Sequence, residues 1–147
     1  MIDILPLQTD DFARLYQIEQ QAHITPWSKG TLLNNQGERY LNLKLLKNNN
    51  IVGFAICQTV LDEATLFNIA IDPAYQKQGL GEQLLLRLIA DLRQSAVLTL
   101  WLEVRRSNLA AQKLYDRLGF NLVTTRPNYY PTNDNRREDA LVMALYL

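Results

Sequence analysis

The stretch from Thr65 to Arg93, TLFNIAIDPAYQKQGLGEQLLLRLIADLR, restricts what this chain can become more than any other. Leu66 to Ile71 is an apolar run of strand length. Asp72-Pro73 ends it, because proline offers no N–H to a ladder and restricts the residue before it. After Gln76-Lys77-Gln78-Gly79-Leu80-Gly81 comes a helical pattern, with Leu80, Leu84, Leu85, Leu88, Ile89 and Leu92 on one apolar stripe and an end near Arg93. Strand, glycine turn and helix in that order aim unpaired N–H groups and a positive dipole end at an anion. Glycines two residues apart leave the main chain open to such a group, which suits a pyrophosphate. An ordinary strand-to-helix turn, its glycines present for steric reasons alone, has the same local pattern. A Walker loop is excluded, since no Gly-Lys-Ser/Thr follows. A dinucleotide fingerprint lacks its third glycine, Leu84 standing there instead.

The flanking chain supplies the rest of a mixed sheet. Ile2–Leu5 reads as a short strand, and Thr9 as the cap of a helix from Asp10 to Gln21 with Phe12, Leu15, Tyr16 and Ile18 inward. Ser28 is placed to cap a second, short helix ending near Asn35. Strands are expected over Tyr40–Lys47, Ile51–Leu61 and Thr65–Ile71, the last two antiparallel across a tight Asp62-Glu63 connection. Ala96–Val104 is the most apolar segment and is expected to be the central strand. Asn108–Leu118 reads as a helix stopped by Gly119, followed by a strand over Phe120–Thr124, a polar loop over Asn128–Asp139 and a last strand over Ala140–Leu147. The order βααβββαβαββ describes one α/β domain, with a right-handed parallel crossover around Gly79 and helices on both faces.

Composition narrows the partners. Lys+Arg and Asp+Glu balance at 15 each, so no broad electrostatic footprint for nucleic acid or membrane is expected. The single cysteine, Cys57, cannot pair internally and reads as a buried thiol. No signal peptide begins the chain and no apolar run reaches spanning length, so a cytoplasmic protein is expected. The only histidine, His23, has no second ligand at metal spacing, and no metal is expected.

Several residue types can carry chemistry. Alternation along Val97–Val104 sets Leu98, Leu100, Leu102 and Val104 on one face and Thr99, Trp101 and Glu103 on the other. Glu103, near the carboxyl end of an apolar strand, suits general-base work; it equally suits an ion pair with Arg105 or Arg106. Tyr115, above Ala111 on its helix, can pack or hydrogen-bond a leaving group. Asn108 is a good helix cap whatever else it does, and Tyr129-Tyr130-Pro131 is either a binding loop or loop packing.

Taken together, Gln76-x-x-Gly79-x-Gly81, Trp101-Leu102-Glu103-Val104-Arg105, Asn108, Ala111, Leu114-Tyr115, Leu118-Gly119-Phe120 and Asn128-Tyr129-Tyr130-Pro131 closely resemble the GNAT superfamily of acetyl-CoA-dependent N-acetyltransferases. The resemblance covers essentially the whole chain. With Pro26-Trp27-Ser28, Gly37-Glu38-Arg39-Tyr40 and Leu66-Phe67-Asn68-Ile69-Ala70 added, it narrows to bacterial enzymes that acetylate the N-terminal alanine of small-subunit ribosomal protein eighteen. The resemblance implies a mostly antiparallel GNAT-like sheet with one parallel βαβ unit. It implies that Ile69, Ala70 and Ile71 hold the pantetheine arm of acetyl-CoA through their main chain. The amides of Lys77, Gln78, Gly79, Leu80, Gly81 and Glu82 are then expected to hold its pyrophosphate, and Asn108 to touch the cofactor as well as capping its helix. Glu103 matches the proton acceptor and Tyr115 the proton donor in a direct attack by the amine. A monomer acting on a basic N-terminal peptide is expected, with Glu38, Asp62, Glu63 and Asp139 as acidic residues available to pair with it.

Overall fold

A computed structural model describes residues Met1–Leu147. Its elements run β1 (Ile2–Pro6), α1 (Phe12–Ala22), α2 (Lys29–Asn34), β2 (Leu43–Lys47), β3 (Asn50–Val60), β4 (Glu63–Ile71), α3 (Leu80–Gln94), β5 (Thr99–Arg105), α4 (Leu109–Arg117), β6 (Asn121–Pro131) and β7 (Arg137–Tyr146). The expected order of strands and helices is therefore the observed one. One seven-stranded sheet joins them in the order β1-β2-β3-β4-β5-β7-β6, antiparallel everywhere except between β4 and β5. No helix is long and apolar enough to cross a membrane.

Helices cover both faces, as their apolar stripes require. The six stripe residues of α3, from Leu80 to Leu92, are all buried in the larger core with Leu100, Leu102, Val104 and Tyr115. Each such side chain contributes on the order of 2 kcal/mol by leaving water. On the opposite face Phe12, Leu15 and Ile18 of α1 meet Leu32 of α2 and Phe54, Ile56 and Ala70 of the sheet.

Several boundaries differ from those expected; the strand expected over Tyr40–Lys47 begins only at Leu43, Tyr40 making an isolated bridge to Gln58. Thr9 does not cap α1: it begins a 3-10 turn, Thr9–Asp11, in which the Asp11 carboxylate accepts from the Gln8 N–H at 2.9 Å. Ala96–Val104 is neither complete as a strand nor central. β5 starts at Thr99, and the middle of the seven belongs to β4. Asn128–Asp139 is mostly strand, because β6 continues to Pro131 and β7 begins at Arg137. A wide bulge disguises this in the sequence: Arg126 faces Ala140 and Tyr130 faces Glu138, so three residues stand against Asp139 alone. The bulge is tied down by Arg137, which donates to the carbonyls of Asn128 (2.9 Å) and Tyr129 (2.8 Å), and by Asp139, which accepts from the Asn128 N–H at 3.0 Å.

The feature that shapes the molecule lies between the two parallel strands. β4 pairs with β5 only from Glu63 opposite Thr99 to Leu66 opposite Leu102. There β4 bulges at Phe67, since Asn68 faces Ile56 while Leu66 faces Cys57. Beyond the bulge β4 stays with β3, and Glu103 to Arg105 stay with β7, so the sheet opens. Gly53 holds the β4 side in place: it lies opposite Ile71, and a Cβ there would sit 2.5 Å from Ile71 Cδ1 and 3.0 Å from the Ala70 carbonyl oxygen. Gly53→Ala is expected to lower unfolding free energy by about 1–3 kcal/mol through overpacking. Denaturant titration checks this, and unchanged stability would contradict the close packing described.

Candidate active site

The turn after β4 is built by three side chains. Asp72 accepts from the Ala74 N–H at 3.0 Å and from Arg14 Nη2 at 2.7 Å, and Arg14 Nε also donates to the Ile51 carbonyl at 3.0 Å. The Arg14 hydrogen bond, with help from the Ala74 N–H, holds the Asp72 carboxyl below its ordinary range. Gln76 Nε2 donates back to the Ile71 carbonyl at 3.0 Å, folding the chain toward α3.

Between this turn and α3 the chain forms a ledge of bare amides. The N–H groups of Lys77, Gln78 and Gly79 find no acceptor in the protein, and those of Leu80, Gly81 and Glu82 open α3, where no intrahelical partner exists. The first amide to bond is Gln83, to the Gly79 carbonyl at 3.2 Å. Lys77 (φ 63°) and Gly79 (φ 76°) take the left-handed conformation on either side of Gln78, a backbone alternation that turns N–H groups into a shared concavity. Gly79 is required for its φ. Gly81 is not: a Cβ there would meet only Ile71 Cγ1, at 3.8 Å, so its bareness leaves room above the ledge. The neighbouring side chains are engaged elsewhere, Glu82 by Arg117 at 2.6 Å and Gln78 by Lys47 at 2.6 Å. Unpaired donors, a helix N-terminus and open space fit the diphosphate of a coenzyme.

Ile71 and Gln76 lead from this ledge into a cleft of about 560 Å³ where the sheet parts. Asp72 directs its N–H to the Val52 carbonyl on the β3 side. By strand alternation Ala70 does likewise, while Ile69 and Ile71 present their main chain to the cleft edge. That exposed edge is suited to an extended amide-bearing chain added as a further strand.

Alternation along β5 then sorts the remaining groups. Leu102 and Val104 turn toward α3 and α4, and Glu103 toward the α1 side. Glu103 Oε2 is buried without a hydrogen bond, and the cation beside it is Arg126, at 3.4 Å. The alternative partners drawn from the sequence are occupied: Arg105 pairs with Glu138 and Arg106 with Asp139. Tyr115 lines the cleft from α4, packed against Phe120, and burial pushes its phenol up to about 12. Asn108 also lines the cleft while capping α4 through the Ala111 N–H at 3.2 Å. Tyr130, delivered by the β6 bulge, closes the α1 side with Arg105 stacked 4.5 Å from its ring centre. Burial first, and then nearby Glu103, push Tyr130 up to about 12.

Of the acidic residues considered for a peptide, none lines the cleft. Glu63 accepts from Trp101 Nε1 at 3.1 Å, and Asp139 is taken by Arg106 and the Asn128 amide. A carboxylate outside that set, Glu19, is only 1% exposed and does line the cleft. Its signal was present: Glu19 sits among the inward positions of α1 beside Ile18, where a charge is costly unless it has work or partners.

The chain belongs to the acetyltransferase (GNAT) family, whose model matches residues 1–120, and it is an acetyltransferase. It is 64% identical over 144 residues to a Haemophilus influenzae protein named [ribosomal protein bS18]-alanine N-acetyltransferase, with 98% of each chain covered. The Escherichia coli protein of that name is 59% identical over 145 residues, covering 99% of this chain and 97% of its own. A crystal structure of the ribosomal-protein-S18-alanine N-acetyltransferase from Escherichia coli superposes with a TM-score of 0.97 at 59% identity, covering 99% of this chain and 94% of the other.

Asp72 anchors the start of the ledge, and its effect has a defined pH window. A carboxyl lowered in the folded state stabilises fully above its unfolded value near 3.9, and that contribution is lost as pH falls through the folded value. Asp72→Asn is therefore expected to cost roughly 1–3 kcal/mol at pH 7, with the deficit shrinking below about pH 4. Urea titrations of both proteins across that range check it; a deficit independent of pH would contradict the Arg14 pairing.

Proposed function

We propose that this chain transfers the acetyl group of acetyl-CoA to the N-terminal α-amine of the alanine that begins ribosomal protein bS18. The observation that carries the reading is that one cleft, reached from the bare amides of Lys77–Glu82, holds Glu103 on one side of the sheet and Tyr115 on the other. Acetyl-CoA supplies an acetyl thioester. Its diphosphate rests on the amides from Lys77 to Glu82, and its pantetheine arm runs along the main-chain edge of Ile69 and Ile71, with Ala70 holding that strand to β3. Asn108, at the start of α4, borders the same path.

The incoming amine approaches from the α1 side, where Glu103 takes a proton from its nitrogen. Oε2 accepts no hydrogen bond, with the Arg126 guanidinium 3.4 Å away as an ion pair, and keeps a lone pair for that proton. An α-amine, with a pKa of about 7.7–8.0 against about 10.4 for lysine, is neutral roughly hundreds of times more often at pH 7, so an N-terminus suits this site better than a lysine side chain. On the other side Tyr115, pushed up to about 12, is a weak acid beside a thiol of about 8.5. A gap of about 3.5 units makes full proton delivery uphill by about 5 kcal/mol. Tyr115 therefore acts as a hydrogen-bond donor to the departing sulfur, which takes its final proton from water.

Mass spectrometry of alanine-initiated bS18 peptides incubated with acetyl-CoA is expected to place one acetyl group on the N-terminal nitrogen. Glu103→Gln is expected to lower kcat/KM by about 10²–10⁴-fold. Tyr115→Phe is expected to lower kcat by about 10–100-fold with acetyl-CoA affinity retained, the effect of one hydrogen bond to a charged group. The wild-type profile is expected to show no loss from Tyr115 ionisation below about pH 11. Acetylation confined to lysines, or full turnover by Glu103→Gln, would overturn the proposal.

A further inference from the structure

The proton count of this reaction leaves one proton unplaced. An N-terminus arrives at neutral pH largely as an ammonium group. One proton must leave to make it nucleophilic. A second must leave the nitrogen as the N–C bond forms and the C–S bond breaks. The departing sulfur regains one, so one net proton goes to solvent. Glu103 accepts the second proton, and a separate acceptor is needed for the first.

Such an acceptor stands on the same face of the sheet. His23, just past the end of α1, lines the cleft together with Glu103. It is held by a chain of buried polar groups. Asn68 Nδ2 donates to Glu19 Oε1 at 3.0 Å, which leaves Asn68 Oδ1 as an acceptor, 2.9 Å from His23 Nε2. Glu19 Oε2 accepts from the Trp27 N–H at 2.9 Å, fixing the loop that carries the histidine. The amide orientation thus assigns the hydrogen to Nε2. Both contacts of the imidazole run through Nε2, the second being Glu19 Oε1 at 3.4 Å, and Nδ1 keeps no protein partner.

Resting on the acetyl-transfer reading above, we infer that His23 Nδ1 is a second proton acceptor, taking the first proton from the substrate ammonium before Glu103 takes the next. Glu19 and Asn68 are positioning residues that hold the imidazole with Nδ1 bare. The proton passes from nitrogen to nitrogen, giving neutral amine and imidazolium, and the imidazolium returns it to solvent through its exposed edge. Glu19 and Asn68 are in contact with the ring; the other charged and titratable groups that line the cleft with it are Glu103 and Arg105 from β5, Tyr115 from α4 and Tyr130 from β6.

His23→Gln tests the inference, because a glutamine can still donate to Asn68 but cannot take a proton at neutral pH. Dividing wild-type kcat/KM by that of His23→Gln cancels the titration of the substrate amine and of Glu103. The ratio is expected to be near one at acid pH, where His23 is already protonated, and to rise to a plateau of about tenfold or more. Its midpoint should match the titration of the protein's one imidazole followed by NMR without acetyl-CoA. His23→Ala should recover activity when free imidazole is added, and acetyl-CoA KM should stay within about twofold in both variants. A flat ratio, a midpoint away from the NMR titration, or no recovery by imidazole overturns the role of His23. Loss of peptide acetylation by the wild type overturns the parent reading instead.

Discussion

The structure depends on two parallel strands being hydrogen-bonded for four residues and then let go. Leu66 is still paired with Leu102; one residue later Phe67 bulges out, and Glu103 faces only β7. Continued pairing would satisfy every amide and leave no cleft. Parting them leaves main-chain groups of Ile69 and Ile71 without strand partners, a cost a folded chain tolerates when something else will bond to them. The core makes this tolerable on both faces, since α3 anchors one side of the opening and α1 the other.

The same opening explains why its polar groups behave so differently. Those on the α1 side are bound into networks or kept near a cation: Glu19 has Asn68 and the Trp27 amide, and Glu103 has Arg126 at 3.4 Å. The phenol of Tyr115 on the α4 side is stripped of water and stays protonated. In the proposed reaction, an amine that must lose protons and a sulfur that must be stabilised as it departs call for opposite environments, which the two sides of the sheet would offer. The β6 bulge completes the arrangement by carrying Tyr130 across to the α1 side, with Arg105 over its ring.

Much of this was legible in the sequence, for physical reasons specific to each element. The α3 stripe, the Asp72-Pro73 stop and the glycines at 79 and 81 are local signals, and each does locally what its chemistry suggests. Glu103 and Tyr115 could be singled out by alternation and helical spacing, but their meeting in one cleft depends on where β4 leaves β5, a property of two strands far apart in the chain. The β6–β7 region misled because Pro127, Asn128 and Tyr129 look like a loop. Three residues do bulge there, yet Arg137 and Asp139 bind them into a continuing ladder. The Arg126 partner of Glu103 and the Glu19–Asn68–His23 chain are tertiary encounters, hidden from any reading of spacing, although a glutamate on the inward face of α1 was a visible anomaly.

Amide hydrogen exchange of the isotopically labelled protein, measured with and without coenzyme A, tests the ledge and the open strand edge together. The N–H groups of Ile69, Ile71 and Lys77 to Glu82 are expected to slow sharply when coenzyme A is added, whereas Ala70, paired with β3, changes little. If those amides exchange equally fast with saturating coenzyme A, and protection gathers on another surface, the cleft described here is not where the coenzyme binds.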